Sequence, residues 1–416
     1  MKYILLIILI FGGLGIVQGQ DIILSGKMID QNSKEPIGFV HVSLCSRALG
    51  TTSNENGDFR LILPPAAKTD SLCISCIGYV NKKISIARLM SQNTPFIELE
   101  ANIEELETIQ VRSKKLPPAK ILVEKAIKRI EKNFPASPHL MEGYYRDFLR
   151  DSTGQNFLHL VESAIGIYDP GYEEADESTR IKVYQSRHAN GYPLNYSDFY
   201  ENNLGGRSGN ISIMGGNELS ILMYNNPVRN YRRISDLKTG YELDESFLNN
   251  HRFEIAYISE SKGETIYGID IEANTNNPYL AKFIGTRQPN ENYQMKGKIY
   301  IRENDLAIMK MEYAIVHQTP TKTEVLNELK LDFKSYKDKM YLHYISFSNF
   351  IVIKRDFTQE RYRHFRELFI HQILTENLPP PDTFYLFSTI GKLHNQSYLN
   401  KPNFWEKYNM VLQYMP

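Results

Sequence analysis

Four His-x-x-Glu pairs stand in the chain: His139/Glu142, His159/Glu162, His251/Glu254 and His364/Glu367. A zinc carboxypeptidase site needs such a pair, a distant second His and a separate catalytic Glu. His251/Glu254 has His364 and His371 far downstream, so the donor types are present. Their surroundings argue against the site. Phe253–Ser259 and Arg361–Ile373 alternate as strands do, and residues three apart on a strand face opposite ways. His364, Glu367 and His371 would share a face only on a helix. The α/β core that carries such a site is not visible either. Cys73-Ile74-Ser75-Cys76 has redox or metal spacing, but it sits in the alternating run Leu72–Val80, and no second Cys pair completes a zinc site. Cys45, Cys73 and Cys76 are therefore expected as buried structural thiols, with a bridge from Cys45 to one of the other two as the alternative. No Gly-x-Ser-x-Gly elbow, P-loop or dinucleotide fingerprint occurs. Gly205-Gly206-Arg207-Ser208-Gly209 lacks a following Lys-Ser/Thr and reads as a loop. Glu162, on an otherwise apolar strand, is expected to form a structural ion pair with Arg146 next door. No catalytic, cofactor-binding or metal-ligating residue is assigned. The expectation is a non-enzymatic protein without a cofactor.

The elements that would position these residues are mostly strands. Tyr outnumbers Gly, 27 to 25, and tyrosine favours half-buried pleated surfaces. Short alternating runs at 22–29, 40–45, 59–63, 72–77 and 82–86 are separated by turn clusters such as Asn54-Glu55-Asn56-Gly57-Asp58, as in a β-sandwich. Residues 101–118 read as a linker ending in Leu116-Pro117-Pro118, with a short strand-like run at Thr108–Arg112. Ala119–Phe134 spaces Leu122, Val123, Ala126, Ile127, Ile130 and Phe134 as one helical stripe, and Pro135 stops it. Ten strands follow, at 144–149, 157–168, 181–187, 253–259, 265–272, 294–302, 307–317, 328–336, 340–353 and 361–373. Their tight polar turns predict antiparallel hairpins. Helices are expected near 215–223 and 242–249, and a long loop over 189–212.

Four pieces of the first unit occur in order. They are Gly26-Lys27-Met28-Ile29-Asp30, Glu35-Pro36-Ile37-Gly38-Phe39-Val40-His41-Val42, Gly50-Thr51-Thr52-Ser53-Asn54-Glu55-Asn56-Gly57-Asp58-Phe59-Arg60-Leu61, and Ile77-Gly78-Tyr79. Together they resemble the carboxypeptidase regulatory-like domain, a transthyretin-like sandwich of seven strands. The resemblance implies a non-catalytic folding or docking module of the kind common in Bacteroidetes cell envelopes. The second unit is similar to uncharacterised envelope proteins carrying the same domain. The similarity runs through Gly143-Tyr144-Tyr145-Arg146, Glu162-Ser163-Ala164, Lys296-Gly297-Lys298-Ile299-Tyr300-Ile301 and Phe404-Trp405-Glu406-Lys407-Tyr408-Asn409. It implies location and architecture but no activity.

The fold class expected is mainly β with some α: an N-terminal transthyretin-like β-sandwich (20–100), a linker (101–118), then a helix plus a large antiparallel β-meander domain (119–416). Residues 1–19 read as a signal peptide: Lys2, an apolar run from Ile4 to Phe11, then Val17 and Gly19 ahead of a cut before Gln20. No later run is long enough for a transmembrane helix. Lys+Arg and Asp+Glu are equal at 48 each, which offers nucleic acid no basic surface. The expected location is the periplasm or the outer membrane, and the expected partner an envelope protein or an apolar ligand. Tyr341–Phe347 and Phe365–Ile370 are apolar at both alternations. The second face of that sheet must therefore meet the rest of the chain, a partner or a ligand.

Overall fold

The computed structural model describes residues 20–92, 95–101, 104–105, 116–151, 157–174, 178–188, 218–231, 242–261, 264–274, 293–355, 358–386 and 403–411. In the first unit, side chains of β1 (Ile22–Asp30) alternate buried and exposed, as the sequence pattern dictates. β2 (His41–Leu44), β3 (Gly50–Thr52), β4 (Asp58–Leu63), β5 (Ser71–Ser75), β6 (Lys82–Ser85) and β7 (Phe96–Leu99) complete it. They form two sheets, ordered β4-β1-β7 and β3-β2-β5-β6. Met28, Val40, Val42, Phe59, Leu61, Leu72 and Ile74 fill the space between them. Gly57 has φ +79°, and a Cβ there would lie 2.3 Å from the Met28 carbonyl oxygen. Only glycine suits both demands, and the turn it makes brings Phe59 into the core.

The thiols depart from the expectation. β2 and β5 are antiparallel neighbours with Ser43 opposite Cys73. As the chain leaves β2, the Cys45 N–H bonds the Ser71 carbonyl, and the two Cα atoms of Cys45 and Cys73 come within 5.1 Å. They form a disulfide, and Cys76 alone stays free. Cys73 points outward from β5, whereas Cys76 lies beyond the strand end, packed against the core. Burial pushes the Cys76 thiol up to about 12, so it is an inert group.

The second unit is one twelve-stranded sheet. β8 is Glu104–Glu105, β9 His139–Arg150, β10 Phe157–Asp169, β11 Arg180–His188, β12 His251–Ser261 and β13 Glu264–Ala273. β14 is Tyr293–Arg302, β15 Ile308–Gln318, β16 Thr323–Tyr336, β17 Lys339–Arg355, β18 Thr358–Leu374 and β19 Tyr385–Leu386. The order is β19-β11-β10-β9-β18-β17-β16-β15-β14-β13-β12-β8, and neighbours pair antiparallel. β12 to β18 run as a meander, and the last of them returns to pair with the first long strand, β9. Part of the expected linker joins this sheet, because β8 pairs with Tyr257 and Ile258 at its edge. The runs at 108–112 and 189–212 fall outside the described residues.

Strand register separates the faces. One row crosses eight strands as Tyr145, Leu368, Ile345, Leu331, Met311, Ile299, Ile269 and Ile255. All eight are buried. A helix at Ala119–Lys128, prolonged by a turn at Ile130–Asn133, packs on β12 and β14. Its Leu122, Val123, Ala126, Ile130 and Phe134 enter the same core. Helices at Glu218–Tyr224 and Glu245–Asn250 add Leu219, Leu222 and Phe247. The opposite, outer row reads Arg146, Glu367, Ser346, Lys330, Glu312, Lys298, Asp270 and Glu254. The apolar side chains of Tyr341–Phe347 and Phe365–Ile370 are covered within the chain on both faces, apart from the half-buried Phe365.

Candidate functional site

The sandwich docks on the outer face of the large sheet, over β16, β17 and β18. Phe39 meets Tyr344 with ring centroids 5.6 Å apart. His41 at the head of β2 places Nε2 3.0 Å from Asp332 Oδ2 and its ring 4.0 Å from His343. The β2–β3 loop extends the contact, with the Ile373 N–H on the Ala48 carbonyl at 3.2 Å and a β-bridge from Leu49 to Gln372.

Residues 403–411 strap the two units together. Asn409 hydrogen-bonds both backbone groups of Ile62 through its amide, as a neighbouring strand would. Arg60 donates to the Glu406 carbonyl at 2.7 Å. On the other side the Tyr408 hydroxyl donates to the Gly143 carbonyl at 2.8 Å, and the Arg187 guanidinium lies over the Trp405 ring. Tyr144, Tyr344, Phe369 and Val411 form the apolar centre of this interface.

Two ion pairs sit beside it. Arg146 donates from Nε to Glu367, whose other oxygen accepts the Tyr344 hydroxyl at 2.8 Å. Arg187 donates from Nε to Glu162 at 2.6 Å, and the Tyr144 hydroxyl donates to the other Glu162 oxygen. Burial works against the Arg146 charge, and the Glu367 carboxylate outweighs it, holding the guanidinium above its ordinary value. Burial and the Glu162 charge together hold the Tyr144 phenol well above its own. The expected Glu162–Arg146 contact is thus corrected. The two residues are opposite each other in register, yet each side chain takes its salt-bridge partner from the strand on its far side.

On the helix face a second polar group lies in the sheet. Tyr145 donates to Asp147 at 3.2 Å, His364 Nε2 contacts the other Asp147 oxygen, and Arg366 lies 2.6 Å from His364 Nδ1. A guanidinium only donates, so Nδ1 accepts and Nε2 carries the proton given to Asp147. Arg366 also donates to Asn349 at 2.8 Å. Sequence reasoning missed this chain, although charges at apolar alternations of β9 and β18 are its signal.

The His-x-x-Glu pairs are strand residues. His364 faces the helix side with Asp147 while Glu367 faces the outer side with Arg146. His139 contacts the Ser137 carbonyl at 3.1 Å, and Glu142 accepts from Tyr184 at 3.3 Å. His251 lies 2.8 Å from the Phe247 carbonyl and bonds the Tyr313 hydroxyl. The His159 side chain is outside the described ones. His371 lies edge-on to Tyr408 under the strap, apart from His364. Among the described residues no three His, Cys, Asp or Glu side chains are grouped to hold a metal ion. Among them, too, no helix is long and apolar enough to cross a membrane.

Comparison with curated proteins gives no match. Among solved structures, the chain is similar to a DUF1329 family protein from Desulfovibrio piger. The identity is 10%, covering 64% of this chain and 96% of that one, with a TM-score of 0.23. It is also similar to a membrane-associated protein of unknown function from Bacteroides fragilis. There the identity is 8%, covering 85% of this chain and 99% of that one, with a TM-score of 0.15. The family comparison covers the sandwich and the segment after it: residues 24–111 match the CarboxypepD_reg-like domain family model.

Proposed function

We propose that this chain is an exported, non-catalytic protein of the cell envelope, in which the sandwich is a binding or assembly module carried by the large sheet. The observation that carries the reading is the disulfide-bridged CarboxypepD_reg-like sandwich, clamped along one side and open on another. A disulfide belongs to oxidising compartments outside the cytoplasm, in keeping with the signal-like start. On the outer face of the β4-β1-β7 sheet, Ile62 is buried near the strap while Ile23 and Phe96 are 55% and 67% exposed. An exposed aromatic on an exported sandwich suits an envelope protein partner. The apolar faces of β17 and β18 are occupied within the chain, which favours docking over the carriage of a lipid.

A photo-crosslinking residue placed at Phe96 tests this in the native envelope. The reading predicts a discrete protein adduct, lost when the residue is moved to Lys128 on the helix. Adducts with lipid alone, or equal labelling from both positions, would overturn it.

A further inference from the structure

We propose that the sandwich–sheet interface is an acid-sensitive latch, in which the closely packed, mutually tilted imidazoles of His41 and His343 hold the sandwich down only while His343 is neutral. His41 comes from the sandwich and His343 from β17, and their ring centroids are 4.0 Å apart. The ring of His343 is also edge-on to Phe369, and its Nε2 has no hydrogen-bond partner among the described residues. His343 is only 4% exposed.

The charges around the pair are unevenly shared. From β16, Asp332 faces His41, its Oδ2 3.0 Å from Nε2. From the same strand Lys334 faces His343 and repels a proton there. Lys310 on β15 faces Asp332, as does the buried Cys76 thiol of the sandwich. On β18 the Ile370 backbone favours charge on His343. A proton on His343 meets no carboxylate among the described residues and would lie beside the Lys334 charge.

Burial, then His41, then Lys334 hold His343 well below its ordinary value of 6.5. When the sandwich lifts away, water reaches the ring and the ordinary value returns. The undocked state therefore binds the proton and the docked state does not. The His343 contribution to docking is at full strength above 6.5 and weakens as the pH falls below it. An exported protein meets the pH of its surroundings directly, but the latch rests on the interface alone and stands whether or not the chain is exported.

The full chain, followed by small-angle scattering and by the emission of its one tryptophan, Trp405 in the strap, reads the latch out. Between about pH 7.5 and about pH 5 the radius of gyration should rise and the emission shift to the red, reversibly and with the strand signal in circular dichroism retained. His343→Phe and His343→Asn remove the titrating ring, one keeping an aromatic contact and the other a polar neutral group. Either variant that folds should stay closed at the lower pH. A wild type that stays closed there would overturn the proposal. So would a folded variant that opens at the wild-type pH, because His371 under the strap or a carboxylate would then be the group responsible.

Discussion

At Gly57 one backbone angle and one contact decide the residue. Gly57→Val would bring a β-branched side chain to φ +79° and into the Met28 carbonyl. Phe59→Ala would empty the centre of the sandwich at a cost of about 3–5 kcal/mol. Both should lower the urea midpoint of the sandwich transition, while Lys68→Ala on the surface should leave it unchanged. The buried ion pair makes a sharper case. Arg146→Met leaves Glu367 without its cation at a site where both side chains are 11% exposed, and should cost about 3–5 kcal/mol. Arg146→Met with Glu367→Met should recover most of that loss, because the penalty lies in the orphaned charge. A double-mutant cycle by chemical denaturation measures it, and purely additive losses would show that the pair is not coupled. Glu162 as a buried carboxylate was legible from its apolar neighbours on β10. Its partner was not, because a strand residue has two neighbouring strands and Arg187 lies on the unconsidered one.

Among the elements, those with long periodic patterns were the readable ones. The ten long strands carry alternation over many residues, and the helix at Ala119–Lys128 spaces its apolar side chains at 3.6. β3 and β7, with three and four residues, were too short to read, and β8 with two hid in a linker. The pairing of β18 with β9 joins segments more than 200 residues apart, and no local signal announces it. The disulfide stood only as the alternative for a similar reason. Spacing along one strand ruled out Cys73 with Cys76, but Cys45 follows β2, a neighbouring strand whose register the sequence leaves open. That bridge spans 28 residues, so reduction should destabilise the sandwich by about 2–4 kcal/mol in a melting experiment with and without reductant. The strap makes a testable unit as well. Asn409→Ala removes both caps on Ile62, and the Ile62 amide should then exchange its hydrogen faster while the amides of β14 keep their protection.

For the whole molecule, the polar residues that looked most like chemistry hold the architecture together. Glu162, Glu367 and His364 bond neighbouring strands, His251 bonds Tyr313 on β15, and His41 and His343 meet where the two units join. The leading apolar segment points to export, and the match of the sandwich to the CarboxypepD_reg-like domain supports that reading. The central claim is export of a disulfide-bridged docking protein. Its most direct test is the intact mass of the chain recovered from its native cells, before and after thiol alkylation without reductant. The account predicts recovery in the envelope fraction, a chain beginning at Gln20, and a single alkylated thiol, Cys76, after unfolding. A cytoplasmic chain that keeps Met1 and alkylates at Cys45, Cys73 and Cys76 would contradict it.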